Sequence, residues 1–403
     1  MDYNKFFSAK INDLKEGGNY RVFADLERHA GSYPHATNYR DGTTHNVMVW
    51  CSNDYLGMGQ NSVVMDAMHQ AIDKCGVGAG GTRNISGTNH YHILLEEELA
   101  SLHKKEAALI FTSGWVANMT TLSTLGRMLP DCVILSDALN HNSMIEGIKN
   151  NKAERHIFRH NDPEHLEELL SQYDKDRPKL VAFESLYSMD GDIAPIEEFC
   201  DICDKYGALS YIDEVHAVGL YGEHGAGVAE RDNLMDRLDI IQGTLAKGFG
   251  VVGGYIAGSK DFCDFVRSYG TGFIFSTSMP PSVAAAALAS VKYVRAHDDL
   301  RQKHQERAAT LKQRFRDAGL PVMESESHIV PLLVGDAVLC KNLSDRLLNS
   351  HNIYVQPINY PTVARGTERL RFTPTPLHSD DDMDALIIAL KEVWEFFDLK
   401  MVA

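Results

Sequence analysis

The stretch Gly243-Thr244-Leu245-Ala246-Lys247-Gly248-Phe249-Gly250 sets a lysine among small residues, just after the strand-like run Leu238-Asp239-Ile240-Ile241. Most lysines lie on solvated faces, where a long flexible stem costs little. An amine held in a tight, largely apolar pocket is easier to deprotonate and can attack an aldehyde, so Lys247 reads as a buried Schiff-base lysine. Taken alone, the stretch also reads as an ordinary strand-to-loop turn whose lysine points to water.

Other strand ends carry matching chemistry. In Leu209-Ser210-Tyr211-Ile212-Asp213-Glu214-Val215-His216, Asp213 closes an apolar strand, and His216 follows three residues on. A buried carboxylate needs a cationic partner, and the protonated nitrogen of a pyridine ring is one. Phe111-Thr112-Ser113-Gly114-Trp115 ends a strand and opens a helix, where free amides and the positive dipole end favour a phosphate. Ser136-Asp137-Ala138-Leu139-Asn140-His141 follows another strand, and His141 could stack on an aromatic ligand or exchange protons. Phosphate at a helix start, aspartate on a ring nitrogen, histidine above the ring and lysine on an aldehyde together describe pyridoxal 5′-phosphate.

A glycine cluster, Gly76-Val77-Gly78-Ala79-Gly80-Gly81-Thr82-Arg83-Asn84-Ile85-Ser86-Gly87-Thr88, formally satisfies G-x-G-x-x-G. A dinucleotide fingerprint must follow a strand and open a helix, whereas this cluster follows a helix ending near Cys75. It reads instead as a loop whose backbone approaches a ligand, with Thr82, Asn84 and Ser86 offering hydrogen bonds.

Around these residues short apolar runs alternate with helical periodicity, the pattern of a mostly parallel sheet wrapped by helices. Strands are expected at 47–50, 107–112, 133–136, 156–158, 180–184, 209–213, 240–243 and 254–257, with helices at 63–73, 90–103, 145–150 and 196–206 between them. In such folds ligands collect at the carboxyl ends of the strands. Beyond Pro280-Pro281, helices at 282–296 and 300–318, a strand-helix-strand region and a last helix at 382–397 suggest a smaller α+β domain. The expected organisation is an N-terminal segment 1–46 with a helix near 6–15, a large cofactor-binding domain 47–290 and a small domain 291–403.

With 403 residues, the chain has room for two domains. A formal charge of −16 argues against nucleic-acid or anionic-membrane surfaces, where Lys and Arg would have to dominate. No export or organelle signal is visible at the N-terminus and no apolar run could span a bilayer, so the cytoplasm is expected. Seven scattered cysteines suit reduced thiols. The lone Cys200-Asp201-Ile202-Cys203 lies in a helical pattern with no second pair, so buried thiols are expected there and no metal.

The stretch from Thr244 to Gly253 resembles the lysine signature of class-II pyridoxal-phosphate enzymes, and nearly the whole chain resembles the α-oxoamine synthases. The resemblance is carried by Val49-Trp50-Cys51-Ser52-Asn53-Asp54-Tyr55-Leu56-Gly57, the cluster from Gly80 to Thr88, Asn140-His141-Asn142-Ser143-Met144-Ile145, Glu184-Ser185-Leu186-Tyr187-Ser188-Met189-Asp190-Gly191-Asp192, Tyr211 to Gly219 and Tyr354-Val355-Gln356-Pro357-Ile358-Asn359-Tyr360-Pro361-Thr362. It implies a fold type I transferase, with a mostly parallel seven-stranded-type sheet, helices on both faces and a smaller α+β domain, acting as a homodimer with active sites at the subunit interface. The family members most similar to this chain condense glycine with succinyl-CoA to 5-aminolevulinate, CoA and carbon dioxide, the entry step of haem and tetrapyrrole synthesis. Others join alanine to pimeloyl-CoA or glycine to acetyl-CoA.

The resemblance implies roles position by position. Lys247 matches the Schiff-base lysine, Asp213 the pyridinium partner, His141 the stacking histidine, and His216 and Ser188 the groups near the ring hydroxyl. Ser136, Thr244 and the backbone of Gly114 and Trp115 match phosphate contacts, with Ser276 and Thr277 reaching in from the other subunit. Arg371 matches the clamp on the glycine carboxylate. Arg21 would meet the succinyl carboxylate, helped by Asn53, Thr82, Asn84 and Ile85, with Ser136 and Thr362 also on the substrate side. Two carboxylate-bearing substrates need two arginines, because the planar guanidinium fork fits a carboxylate better than an ammonium does.

Overall fold

The computed structural model describes residues 1–40 and 42–401; residue 41 of the expected N-terminal segment and residues 402 and 403 of the expected small domain lie outside them. The chain divides into two compact units, one of Met58–Tyr187 and Asp192–Gln302, the other of Met1–Gly57, Ser188–Gly191 and Lys303–Ala403.

The first unit is built on a seven-stranded sheet in the order Ala107–Phe111, Gly254–Gly258, Ile240–Thr244, Leu209–Asp213, Lys179–Glu184, Val133–Asp137 and Glu154–Phe158. Neighbouring strands from Ile240–Thr244 outward are parallel, while Gly254–Gly258 is antiparallel to both of its neighbours. The central strands are buried on both faces, which is why apolar residues stand at consecutive positions, as in Leu180-Val181-Ala182-Phe183, rather than in strict alternation. Helices cover the sheet: Leu122, Leu125, Met144 and Ile148 pack with Ile134, Leu180 and Tyr211, and Ala117, Val266 and Phe273 with Leu109 and Ile256. Side-chain caps fix several helix starts; Asn61 opens Ser62–Cys75 and Ser113 opens Gly114–Met128.

The second unit holds two smaller sheets. Asp25–Arg28, His35–Arg40 and Thr43–Val49 form an antiparallel meander to which Ile353–Tyr354 adds in parallel. Val330–Leu333, Arg369–Phe372 and Pro357–Ile358 form the other. Trp50, Phe315, Leu343, Phe372, Leu390 and Trp394 lie in its core.

Two expectations need correction. Residues 47–50 do not join the large sheet; they extend a strand bonded to His35–Arg40 and Ile353–Tyr354, so residues 47–57 belong with the C-terminal residues. Residues 291–302 fall with the large unit, because Pro281–Ala296 is one continuous helix and Arg301 bonds back to Val294 O and Asp298. Apolar alternation marks a strand but not the sheet it enters.

Candidate active site

The central strands end side by side, and their last residues supply the site. In the parallel register Glu184 lies opposite Asp213, and Asp213 opposite Gln242. Asp213 is buried; its Oδ2 accepts from Asn118 Nδ2 at 2.7 Å and its Oδ1 from the Val215 amide at 2.8 Å. Burial pushes its carboxyl up, opposed by those two bonds and by His141 and Lys247. Glu184 is pushed well above the ordinary carboxylate range by burial and by the charge of Asp213. His216 is buried one turn beyond Asp213.

His141 caps the helix Asn142–Lys149. Its amide donates to Glu184 Oε1 at 2.5 Å, and its Nδ1 accepts from the Ser143 amide at 3.2 Å and meets Ser143 Oγ at 2.7 Å. With Nδ1 accepting, the ring proton is assigned to Nε2. Surrounding protein lowers the His141 pKa; Asp213 raises it and Lys247 lowers it further, so the ring is neutral. Lys247 thus acts electrostatically on Asp213, His141 and Glu184 together.

Lys247 is half-buried rather than enclosed, with Ala246 exposed and Leu245 and Phe249 buried beside it. Its turn is closed by Leu245 N to Gly253 O (3.0 Å), Val251 N to Leu245 O (2.8 Å) and Gly250 N to Lys247 O (2.9 Å). Thr244 Oγ1 braces the same turn, donating to Gly253 O at 2.9 Å and accepting from Ala246 N at 3.2 Å. Gly248 is a packing requirement: a Cβ there would stand 2.4 Å from Val218 O.

At the start of Gly114–Met128, Ser113 Oγ takes the Val116 amide at 3.1 Å, while the Gly114 and Trp115 amides have no acceptor within the helix. A Cβ on Gly114 would come within 3.3 Å of Gln242 Nε2 and 3.5 Å of Thr244 Oγ1. Ser136, buried, accepts from Asn140 Nδ2 at 2.9 Å.

The glycine cluster is one ordered turn rather than a slack loop. Gly87 N reaches Thr82 O at 2.8 Å, Thr82 Oγ1 donates to Asn84 Oδ1 at 2.6 Å, and Ser86 Oγ donates to Gly80 O at 3.1 Å. Arg83 holds Glu96 bidentately at 2.7 and 2.9 Å. Thr82 bridges Thr277, and Ser278 N donates to Gly81 O at 3.0 Å, so Ser276 and Thr277 of the same chain lie against this turn. Asn84 and Ile85 point outward.

In the other unit, Arg371 is buried and bonded from three directions: Nε to Ser188 O at 2.7 Å, Nη1 to Asn53 Oδ1 at 3.3 Å and Nη2 to Tyr55 OH at 2.9 Å. Among the described residues these bonds use one N–H of each nitrogen, leaving one on Nη1 and one on Nη2, the pair that grips a carboxylate. Arg21 is exposed and donates to Thr362 Oγ1 at 3.0 Å, beside a cleft of about 180 Å³ that Arg40 and Lys341 also line.

Sequence reasoning missed Asn118, which bonds Asp213 and Ser143, and Tyr211, whose hydroxyl donates to Asn118 Oδ1 at 2.7 Å. It also missed the buried imidazoles His304 and His328 packed on Tyr55, which burial keeps neutral near Arg371. No local pattern singles out Asn118, which shares its helix with the buried polar residues Thr120, Thr121, Ser123 and Thr124.

These residues fit pyridoxal phosphate. A helix start that opens on a glycine suits a phosphate, the raised buried carboxyl of Asp213 gains from a ring cation, and Gln242 Oε1 and Asn140 Oδ1 are buried polar atoms with no hydrogen-bond partner among the described residues. Among the described residues no group of His, Cys, Asp and Glu could hold a metal, no helix is long and apolar enough to cross a membrane, and the seven cysteines are free thiols. Burial raises Cys200 to about 11 and Cys203 further.

Comparison with known proteins agrees with this chemistry. Residues 45–390 match the family Aminotransferase class I and II. The 5-aminolevulinate synthase of Rhizobium meliloti (strain 1021) is 58% identical over 98% of both chains. The 5-aminolevulinate synthase 2 of Cereibacter sphaeroides is 59% identical over 98% of this chain and 97% of its own. Among solved structures, serine palmitoyltransferase from Sphingomonas wittichii superposes with a TM-score of 0.89 at 29% identity, covering 98% of each chain. The S. paucimobilis serine palmitoyltransferase with a bound PLP–myriocin aldimine gives 0.91 at 29% identity over 99% of each. The chain therefore belongs to the aminotransferase class I and II family and, within it, to the pyridoxal-phosphate-dependent 5-aminolevulinate synthases.

Proposed function

We propose that this chain condenses glycine with succinyl-CoA to give 5-aminolevulinate, CoA and carbon dioxide, opening tetrapyrrole synthesis. The observation that carries the reading is the buried carboxylate of Asp213 at a strand end, with Lys247 and His141 as its electrostatic partners. Pyridoxal phosphate, when bound, supplies an electron sink for charge developing at the glycine α-carbon.

The chain's own residues do the rest. The Gly114 and Trp115 amides, with Ser136 and Thr244, would hold the phosphate, and Ser276 and Thr277 of a second copy would complete the cradle. Asp213 would keep a proton on the ring nitrogen, and His216 and Ser188 would be the groups that bind the ring hydroxyl. Lys247 Nζ would hold the aldehyde until the glycine amine displaces it, and the freed amine would then take the proton that leaves the glycine α-carbon. The two remaining N–H groups of Arg371 grip the glycine carboxylate. Arg21, with Asn53, Thr82, Asn84, Ile85 and Thr362, receives the succinyl end. His141 would stack on the ring, and its Nε2–H would be the donor that polarises the thioester carbonyl for attack.

Two copies form the working enzyme. Val77, Ile85 and Phe275 are 73, 78 and 79% exposed, and the last two lie on segments joined by the Thr82–Thr277 bridge, an apolar surface that a second copy would cover. Sedimentation should give twice 44.9 kDa, and a 44.9 kDa species would overturn the dimer. Free cysteines suit the reducing cytoplasm. The reaction is tested by CoA release across an acyl-CoA panel with glycine or alanine. Glycine with succinyl-CoA should be the best pair, whereas a preference for pimeloyl-CoA with alanine or acetyl-CoA with glycine would reassign the chain.

A further inference from the structure

We propose that Asn118 is a positioning residue that binds Asp213 and His141 into one unit, its single amide group orienting the first directly and the second through Ser143. The inference rests on the proposed roles of Asp213 and His141 and adds how the protein keeps both aimed at once.

Asn118 is 1% exposed, one turn into the helix whose start is the proposed phosphate cradle. Its Nδ2 donates one hydrogen to Asp213 Oδ2 at 2.7 Å and the other to Ser143 Oγ at 3.0 Å. Its Oδ1 accepts from Tyr211 OH at 2.7 Å. The donor and acceptor pattern fixes the amide's orientation: turned over, Oδ1 would face a carboxylate and Nδ2 would meet the tyrosine proton. Because Ser143 Oγ accepts from Asn118, its own proton is free to go to His141 Nδ1 at 2.7 Å. His141 is thereby held with its proton on Nε2, the tautomer needed to donate to a substrate carbonyl. At its main chain the same histidine is held by Glu184, the strand neighbour of Asp213. One asparagine thus has each of its polar hydrogens and its oxygen committed, and each commitment leads to a group of the proposed site or to the strand that carries one.

A residue that merely filled this space could be apolar. Asn118→Leu keeps the branched shape, with bulkier methyls, and removes the hydrogen bonds; Ser143→Ala removes only the hydroxyl, leaving the Ser143 amide on Nδ1, and Ser143→Thr restores a hydroxyl. The groups facing this unit are Asp213, His141, Lys247 and Glu184, and the readout is the pH titration of cofactor absorbance in the loaded enzyme. Asn118→Leu should displace the titration midpoint by at least about one unit and lower kcat about 10- to 100-fold, the scale of losing hydrogen bonds to a charged group. Ser143→Ala should lower kcat about 3- to 10-fold with Ser143→Thr recovering most of it, and the two losses should combine less than additively. The inference is overturned if Asn118→Leu and Ser143→Ala both titrate as wild type with kcat within about twofold of it. If Asn118→Leu does not fold, the Ser143 pair decides: recovery by Thr supports the inference, and equal activity of Ala and Thr overturns it. A wild-type enzyme that binds cofactor but makes no 5-aminolevulinate would instead defeat the proposed function.

Discussion

At the scale of residues, candidate chemistry was legible where a polar side chain lies at or just past the end of a strand. Asp213 closes an apolar strand, where a buried carboxylate needs a partner, while Lys247 and His141 lie just past one; Lys247 alone also reads as a turn residue facing water, and only the set of strand ends together points to one ligand. Asn118 was not legible because its partners, Asp213, Ser143 and Tyr211, are 25 to 95 positions away along the chain. Arg371 was legible as a cation, but its readiness to bind was not: only the bonds to Ser188, Asn53 and Tyr55 reveal which two N–H groups remain. Arg371→Lys keeps the charge and loses that fork. The expected outcome is a glycine KM about 10- to 100-fold higher, with the KM for succinyl-CoA changed less than about threefold. An unchanged glycine KM in steady-state kinetics would remove Arg371 from the glycine site.

At the scale of elements, the strands of the large sheet were readable from their apolar runs, whereas Asp25–Arg28 and His35–Arg40 were not. Those two have mostly exposed or alternating faces and polar sequences, so pairing rather than composition makes them strands. The loops at the strand ends are tied by polar staples that no local pattern announces. His160 is one: Nδ1 meets Asp137 Oδ1 at 2.9 Å, Nε2 meets Asp192 Oδ2 at 2.6 Å, and the ring stands edge-on to Tyr187 at 4.4 Å. Burial opposes its charge, but the two carboxylates prevail and raise it to about 10. A folded pKa above the unfolded value of about 6.5 means the imidazolium's stabilisation is complete below pH 6.5 and is lost as pH rises through 10. His160→Gln should therefore cost about 1.5–3 kcal/mol in urea unfolding at pH 6, and the gap to wild type should shrink steadily toward pH 10. A gap that is constant across that range would show that the imidazole acts neutrally.

At the scale of the whole molecule, the interrupted sequence of the second unit explains why its boundary was misplaced. Its residues come from 1–57, 188–191 and 303–403, and only hydrogen-bond ladders such as Thr43–Val49 with Ile353–Tyr354 reveal that the first and last belong together. The short insert 188–191 is held by buried arginines of its own unit, Arg369 on Met189 O and Asp190, and Arg371 on Ser188 O. Everything the molecule is proposed to do converges on one amine. The most direct measurement is 5-aminolevulinate formation from glycine and succinyl-CoA by wild type and Lys247→Ala, each loaded with pyridoxal phosphate, with borohydride reduction and peptide mass to locate the cofactor. Wild type should turn over and carry the reduced cofactor on Lys247, while Lys247→Ala should do neither; a Lys247→Ala enzyme that still makes 5-aminolevulinate would contradict the central role of Lys247.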